Sequence, residues 1–481
     1  MARGSADSGG SEATAPEGHG ATLRRDLGAW SLIALGISNT IGAGIFVLTG
    51  TAASHYAGPG IAISYVIGGI ACLCAGLCYA ELAAMSPDAG SAYSYAYASL
   101  GVTVAWIIGW DLIIEFLLAG ATVAVGWSGF FSGMLQRWHM HIPLAFASAP
   151  VGLTASHQLR LTGAWVNLPA AALVMVQAAL LYAGVRESRA FFNSIICLLM
   201  ALIAAIVVCG FMHVDTANWH PFIPPNAGRP GQFGWSGVMA AAALVFYSYV
   251  GFETISTATR ETRDPGRNLP IGLLGSLGIC AVLYVLMALV MTGLVSYRRL
   301  GGEQPIVTAL EAAGPALSWL VPLVSVGIVI GLSAASMGSM YAQIRIFYAM
   351  ASDGLLPPLF AAVHPRSKIP HWSTLIVAGA CAVTAGLLPL EVLGELVSIG
   401  TLLAFAIVCT CVLILRIRQP ARARPFRVMG LYLVAPLGVA ICGYMMLSLP
   451  RDTWWRLAIW MAIGLVVYAT CRGRWQRPAP S

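Results

Sequence analysis

Two short polar runs interrupt long apolar stretches, and their residue types suit one kind of chemistry. The first is Ser38-Asn39-Thr40-Ile41-Gly42-Ala43-Gly44-Ile45-Phe46; the second is Phe246-Tyr247-Ser248-Tyr249-Val250-Gly251-Phe252-Glu253. Glycine costs about 1 kcal/mol relative to alanine inside a helix, so both runs are expected to unwind. At a broken helix the amides of Ala43, Gly44 and Ile45 lack intrahelical acceptors and sit at a positive dipole end. That end suits a carboxylate. Carbonyls freed around Thr40, Tyr247 and Val250 suit an ammonium. A site offering both fits the backbone of an α-amino acid, with Ile41 and Gly42 on the first segment and Phe246 and Gly251 on the second. A second reading stays open, in which Gly42 and Gly44 only let two helices pack closely.

Such segments need a scaffold, and composition defines it. Of 481 residues, 58% are hydrophobic and 9% are charged, against about 25% charged in a soluble domain. That charge cannot cover a water-facing surface, so most of the outside faces lipid. An apolar helix needs about 20 residues to cross the hydrocarbon. Windows of that length predict an all-α integral membrane protein of twelve spans: spans 1–5 over about 29–213, spans 6–10 over about 236–416, and spans 11–12 over about 428–472. Residues 1–22 read as a disordered tail, 23–475 as one membrane domain and 476–481 as a short second tail.

Spans one and six carry the polar runs. They are corresponding members if spans 1–10 form two five-helix repeats, and an odd number per repeat inverts their topology. Broken helices at matching places in inverted repeats point to a transport site. Unwound backbone survives in a membrane only where protein or a cavity satisfies it. Lys and Arg residues number eighteen on the side holding both termini, nineteen with Arg345, against seven on the other. Both termini are therefore expected in the cytoplasm of a cell (inner) membrane protein.

Carboxylates inside a membrane are functional candidates by default. Asp111 and Glu115 share one face of span three at i, i+4 spacing. Glu115 lies deeper, where it could meet a cationic side chain or take up a proton; for both, a structural bond to a neighbouring helix is the other reading. Glu253 could cap the second half of span six. Arg345 reads as a topology anchor or gate, and Glu391 and Glu395 read as solvated residues near the outer surface. The eleven cysteines lie in or beside apolar runs, as packing residues and not as a disulfide or zinc framework. No metal, cofactor, nucleic acid or accessory subunit is implied, and no phosphate loop or catalytic triad suggests a pump or an enzyme.

From about Leu23 to Trp475 the sequence resembles the amino acid–polyamine–organocation superfamily, closest to the bacterial cationic amino acid transporter branch. The resemblance rests on Ile41-Gly42-Ala43-Gly44-Ile45-Phe46, Cys78-Tyr79-Ala80-Glu81-Leu82, Gly90-Ser91-Ala92-Tyr93 and Gly109-Trp110-Asp111-Leu112-Ile113-Ile114-Glu115-Phe116. It continues through Val250-Gly251-Phe252-Glu253, Asn268-Leu269-Pro270-Ile271-Gly272 and Asp353-Gly354-Leu355-Leu356-Pro357, and ends with Leu447-Ser448-Leu449-Pro450. It implies a LeuT-type 5+5 inverted-repeat fold, with helices 1 and 6 broken at mid-membrane and spans eleven and twelve outside the core. It also implies an aromatic lid at Tyr247 and a gate after span six. There Arg260 stands where the pattern begins with glutamate, followed by Glu261. Similar bacterial transporters often carry a span-five lysine in place of a sodium ion. Aligning Gly184-Val185-Arg186-Glu187-Ser188 puts Leu199 or Met200 there, and Lys368 is the only lysine in the chain.

These readings converge on a secondary permease for L-amino acids working by alternating access, as an exchanger or facilitated uniporter. Cationic substrates are favoured if Glu115 faces the pocket, with small neutral ones as the alternative. A polyamine or amine exchanger would need no carboxylate cradle, and an amino-acid-sensing transceptor would want a cytoplasmic partner domain. Replacing Gly44 with leucine is expected to abolish amino-acid binding in a protein that still folds; wild-type affinity in that variant would place the site elsewhere.

Overall fold

The computed structural model describes residues 27–85, 92–153, 159–183, 189–226, 228, 231–352, 354–363 and 369–471. The expected tails over 1–22 and 476–481, Lys368 and the run 184–188 lie outside the described residues. Apolar sequence without internal turn signals folds into helices, because a backbone in hydrocarbon must satisfy its own polar groups. The principal helices are α1 (Ala29–Thr40), α2 (Ile61–Met85), α3 (Val102–Arg137), α4 (Leu168–Tyr182), α5 (Arg189–Phe211) and α6 (Gly234–Val245). They continue with α7 (Pro265–Leu294), α8 (Leu320–Ser352), α9 (His371–Leu387), α10 (Leu390–Arg418), α11 (Leu431–Leu447) and α12 (Arg451–Cys471).

Among the described residues, eight helical segments are long and apolar enough to cross a bilayer, and α4, α9 and α11 are shorter apolar helices. The chain is a helical, multi-pass membrane protein. The one sheet among the described residues is a hairpin pairing Val151–Leu153 with Leu159–Leu161.

Helix α3 runs through the middle of the core and packs against α8 and α10. Small residues allow this: Gly109 faces Met350 and Gly120 faces Met340 on α8, while Gly126 faces Ala43 and Val47. At the end of the fold that carries Leu27, the chain entering α1 pairs with the chain leaving the 3₁₀ segment after α6. Leu27 N donates to Glu261 O at 3.0 Å, and Arg263 N donates to Leu27 O at 2.9 Å.

Two further contacts fix the periphery. Trp110 Nε1 donates to Trp460 O at 2.9 Å, and Trp460 Nε1 donates back to Trp110 O at 3.1 Å. Their rings stack with centroids 4.7 Å apart, clasping α12 to α3. At the C-terminal end of α2, Glu81 is 1% exposed and accepts from Arg416 Nη2 at 2.5 Å, from Arg416 Nε at 3.2 Å and from Val428 N at 2.8 Å. Arg424 Nε lies 3.2 Å from the same carboxylate. One acid thus holds α2, α10 and the loop leading to α11. Glu395, expected to be solvated, is buried instead: Thr453 Oγ1 donates to it at 2.7 Å and Arg456 lies 3.9 Å away. Its helix starts under α12, a neighbour that periodicity does not reveal. Arg345 is exposed, with its guanidinium 5.8 Å from the centre of the Tyr341 ring.

Removing one member of a buried ion pair leaves the other charges uncompensated and costs about 3–5 kcal/mol. Glu81→Ala should therefore markedly lower the unfolding midpoint of the purified protein in detergent, while a surface control such as Glu311→Ala should barely move it.

Candidate functional site: two facing helix breaks

The first break follows from its own sequence. Helix α1 ends at Thr40, Ile41 is extended at φ −77° and ψ 104°, and the chain re-enters helix at Gly44 in a wide π-helical turn. Helix α6 ends at Val245, and Phe246–Tyr249 forms one 3₁₀ turn. Val250 is then extended, Gly251 has φ +118°, and Phe252–Glu261 is 3₁₀.

The two breaks lie against each other. A Cβ on Gly251 would fall 2.2 Å from Asn39 O, and its positive φ strains any other residue. A Cβ on Gly44 would fall 2.7 Å from Ser248 Cα. Gly44 therefore does what the packing alternative required of it, whether or not its amide also binds a ligand. Leucine there would wedge the segments apart, so that variant cannot separate binding from packing. Gly42 differs: it is half-buried, and a Cβ would meet only Val123 at 3.7 Å.

The freed backbone groups find specific partners. Tyr284 on α7 is fully buried, with its hydroxyl 3.0 Å from Thr40 O and 2.6 Å from Ser248 O. One side chain thus serves both breaks. Glu253 accepts from Gly251 N with both carboxylate oxygens at 3.0 Å, the capping role considered for it. Asn39 Nδ2 donates to Thr254 Oγ1 at 2.6 Å. Tyr247 O accepts from Val250 N at 3.1 Å. Rings of Tyr65, Tyr249 and Tyr284 pack around this junction. Tyr65 and Tyr284 escaped the sequence reading. The only available signal was a tyrosine inside an apolar run, whose hydroxyl needs a partner when buried.

The remaining candidates divide by direction. Ala43 and Ile45 are fully buried at the head of the resumed helix, and Thr40 and Ile41 are each 3% exposed. Tyr247 points to α3 and donates to Ala119 O at 3.3 Å. Phe246 packs edge-on against Phe405 of α10, inside the aromatic core. Glu115 is 1% exposed, with the Thr401 hydroxyl and the carboxylates of Glu253 and Asp111 as neighbours. Asp111 lies against Gly400 of α10, and neither of its oxygens has a hydrogen-bond partner among the described residues. Both acids thus face α10. Arg260 and Glu261 end the 3₁₀ segment beside Leu27, with Glu261 engaged through its backbone. A narrow crevice opens between α1, α5 and α8, lined by Ile37, Ser38, Ile41, Ile195, Leu199 and Met200 among others. Either alignment of the expected lysine position therefore reaches the same apolar wall.

A helical membrane core with two interrupted helices facing each other defines a transporter architecture. The chain belongs to the amino acid permease family, whose model matches residues 27–468, within the amino acid–polyamine–organocation superfamily. It is 40% identical to the methylthioribose transporter of Bacillus subtilis over 447 residues, 93% of each chain. It is 39% identical to a branched-chain amino acid permease of the same organism over 448 residues, again 93% of each. A vacuolar cationic amino acid transporter of Arabidopsis thaliana is 38% identical over 406 residues, 83% of this chain and 64% of the plant protein.

Tyr284→Phe would remove the single hydroxyl proton that the carbonyls of Thr40 and Ser248 share, a loss of about 1–3 kcal/mol. The variant should unfold at a lower temperature in detergent and bind substrate more weakly. Unchanged values for both would show that the hydroxyl does not hold the breaks together.

Proposed function

We propose that the protein is a secondary permease that carries L-amino acids through the cell membrane by alternating access. The observation that supports this most is the contact between the two breaks, Gly44 on Ser248 and Gly251 on Asn39. It puts the start of the resumed first helix against the end of the sixth helix's first half, and a helix start suits a substrate carboxylate. In this reading the chain has twelve spans in a LeuT-type 5+5 arrangement, with both termini in the cytoplasm. Thr40 through Ile45 and Phe246 through Gly251 form the backbone cradle. Tyr247 is the lid, and the Leu27 pairing beside Arg260 and Glu261 closes the inner side.

The acids support cationic side chains as the preferred cargo. Asp111, Glu115 and Glu253 are buried near one another, and a positive group would relieve them. The apolar crevice favours a second reading, a neutral side chain lodged beside Ile41. Relatives are named for branched-chain and for cationic amino acids alike, so local chemistry must decide.

Coupling follows from the same crevice. Leu199 and Met200 cannot titrate or bind a cation, which supports exchange or facilitated uniport. In proteoliposomes, internal amino acid should accelerate uptake of labelled arginine or leucine, and an imposed proton gradient should drive no uphill accumulation. Proton-driven accumulation would overturn the uncoupled mode, and its loss in Glu115→Gln would identify the proton carrier. An unchanged order of arginine and leucine competition in that variant would remove Glu115 from side-chain selection.

A further inference from the structure

The loop joining α10 to α11 is built to hold its shape. The Arg424 guanidinium donates to the carbonyls of Leu415 at 3.3 Å, Gln419 at 2.7 Å, Pro420 at 3.1 Å and Arg422 at 2.7 Å. It also lies on Glu81, which holds Val428 N as well. A loop tied to its own basic side chain and to a buried acid presents its other arginines from a fixed frame.

Those other arginines point outward. Arg418 and Arg427 are exposed, and neither makes an ion pair among the described residues. Arg267 is equally exposed on the first turn of α7. That turn touches the loop, since a Cβ on Gly266 would fall 2.7 Å from Pro425 Cβ. The acids nearby are Asp264, which is exposed, and Glu261, which is half-buried and already engaged. Positive charge prevails on this face.

Apolar side chains flank the same loop. Met429 is 90% exposed and Leu433 is 73% exposed, with Ile417 and Tyr432 exposed beside them. Arginines next to such groups suit one environment, the boundary where headgroups meet acyl chains. An acidic peptide or a soluble polyanion would satisfy the charge and leave Met429 and Leu433 in water.

We propose that this loop is a binding site for anionic phospholipid, with Arg267, Arg418 and Arg427 holding the headgroup phosphate and Ile417, Met429, Tyr432 and Leu433 set among the acyl chains. Guanidinium groups suit the purpose because they meet phosphate oxygens in pairs. The Glu81–Arg424 frame prevents the loop from collapsing onto its own charges.

The test uses the full chain in neutral detergent, titrated with phosphatidylglycerol, phosphatidylcholine or inorganic phosphate. Bound lipid is counted by native mass spectrometry and stability is followed by the thermal midpoint. Phosphatidylglycerol should bind and raise the midpoint, while phosphatidylcholine and inorganic phosphate should do neither. Arg267→Gln, Arg418→Gln and Arg427→Gln should each weaken phosphatidylglycerol binding about five-fold, as expected for loss of one surface cation. The triple Arg→Lys variant, which keeps the charge and loses the paired contacts, should bind phosphatidylglycerol more tightly than the triple Gln variant and more weakly than wild type. Wild-type lipid affinity in the triple Gln variant overturns the proposal, as does inorganic phosphate reproducing the stabilisation. Should the triple Gln variant not fold, unchanged affinity in both Arg418→Gln and Arg427→Gln overturns it equally.

Discussion

No polar backbone group can be left bare in hydrocarbon, and the centre of this protein is organised around two places where helices stop providing that cover. Each break is tolerated because the other lies against it. Asn39 reaches Thr254, Glu253 caps Gly251, and Tyr284 from a third helix serves carbonyls on both sides. The segments therefore form a single junction. A change in one must be felt by the other, since Gly44 and Gly251 leave no slack for either to shift alone.

Acidic residues inside the fold take three different parts. Glu81 is fully matched by two arginines and an amide, and acts as a structural tie. Glu253 is spent on its own helix start. Asp111 and Glu115 have carboxylate oxygens with no hydrogen-bond partner among the described residues. Composition cannot distinguish these parts, because each is a carboxylate in an apolar run; only the identity of the facing helix separates them.

Much of the architecture was legible in residue types. Polar residues with glycines in apolar runs marked both breaks to within a few positions, because Ser-Asn-Thr followed by Gly-Ala-Gly is a poor helix interior. The packing role of Gly44 was legible only as an alternative, since it depends on Ser248, about 200 residues away. Tyr284 was invisible for the same reason: sixteen tyrosines occur in the chain, and nothing local says which hydroxyl meets a broken helix. Glu395 misled because it lies next to a turn, and proximity to a turn in sequence does not exclude a helix lying over it.

The reciprocal clasp between Trp110 and Trp460 also bears on how the molecule moves. Each indole donates to the backbone carbonyl beneath the other ring, so sliding or rotating either helix breaks both bonds together. Gly464, which lies against the Trp110 ring with no side chain of its own, lets the stack close fully. Helix α12 is thus fastened to α3, so a displacement of either helix is handed to the other through one pair of indoles.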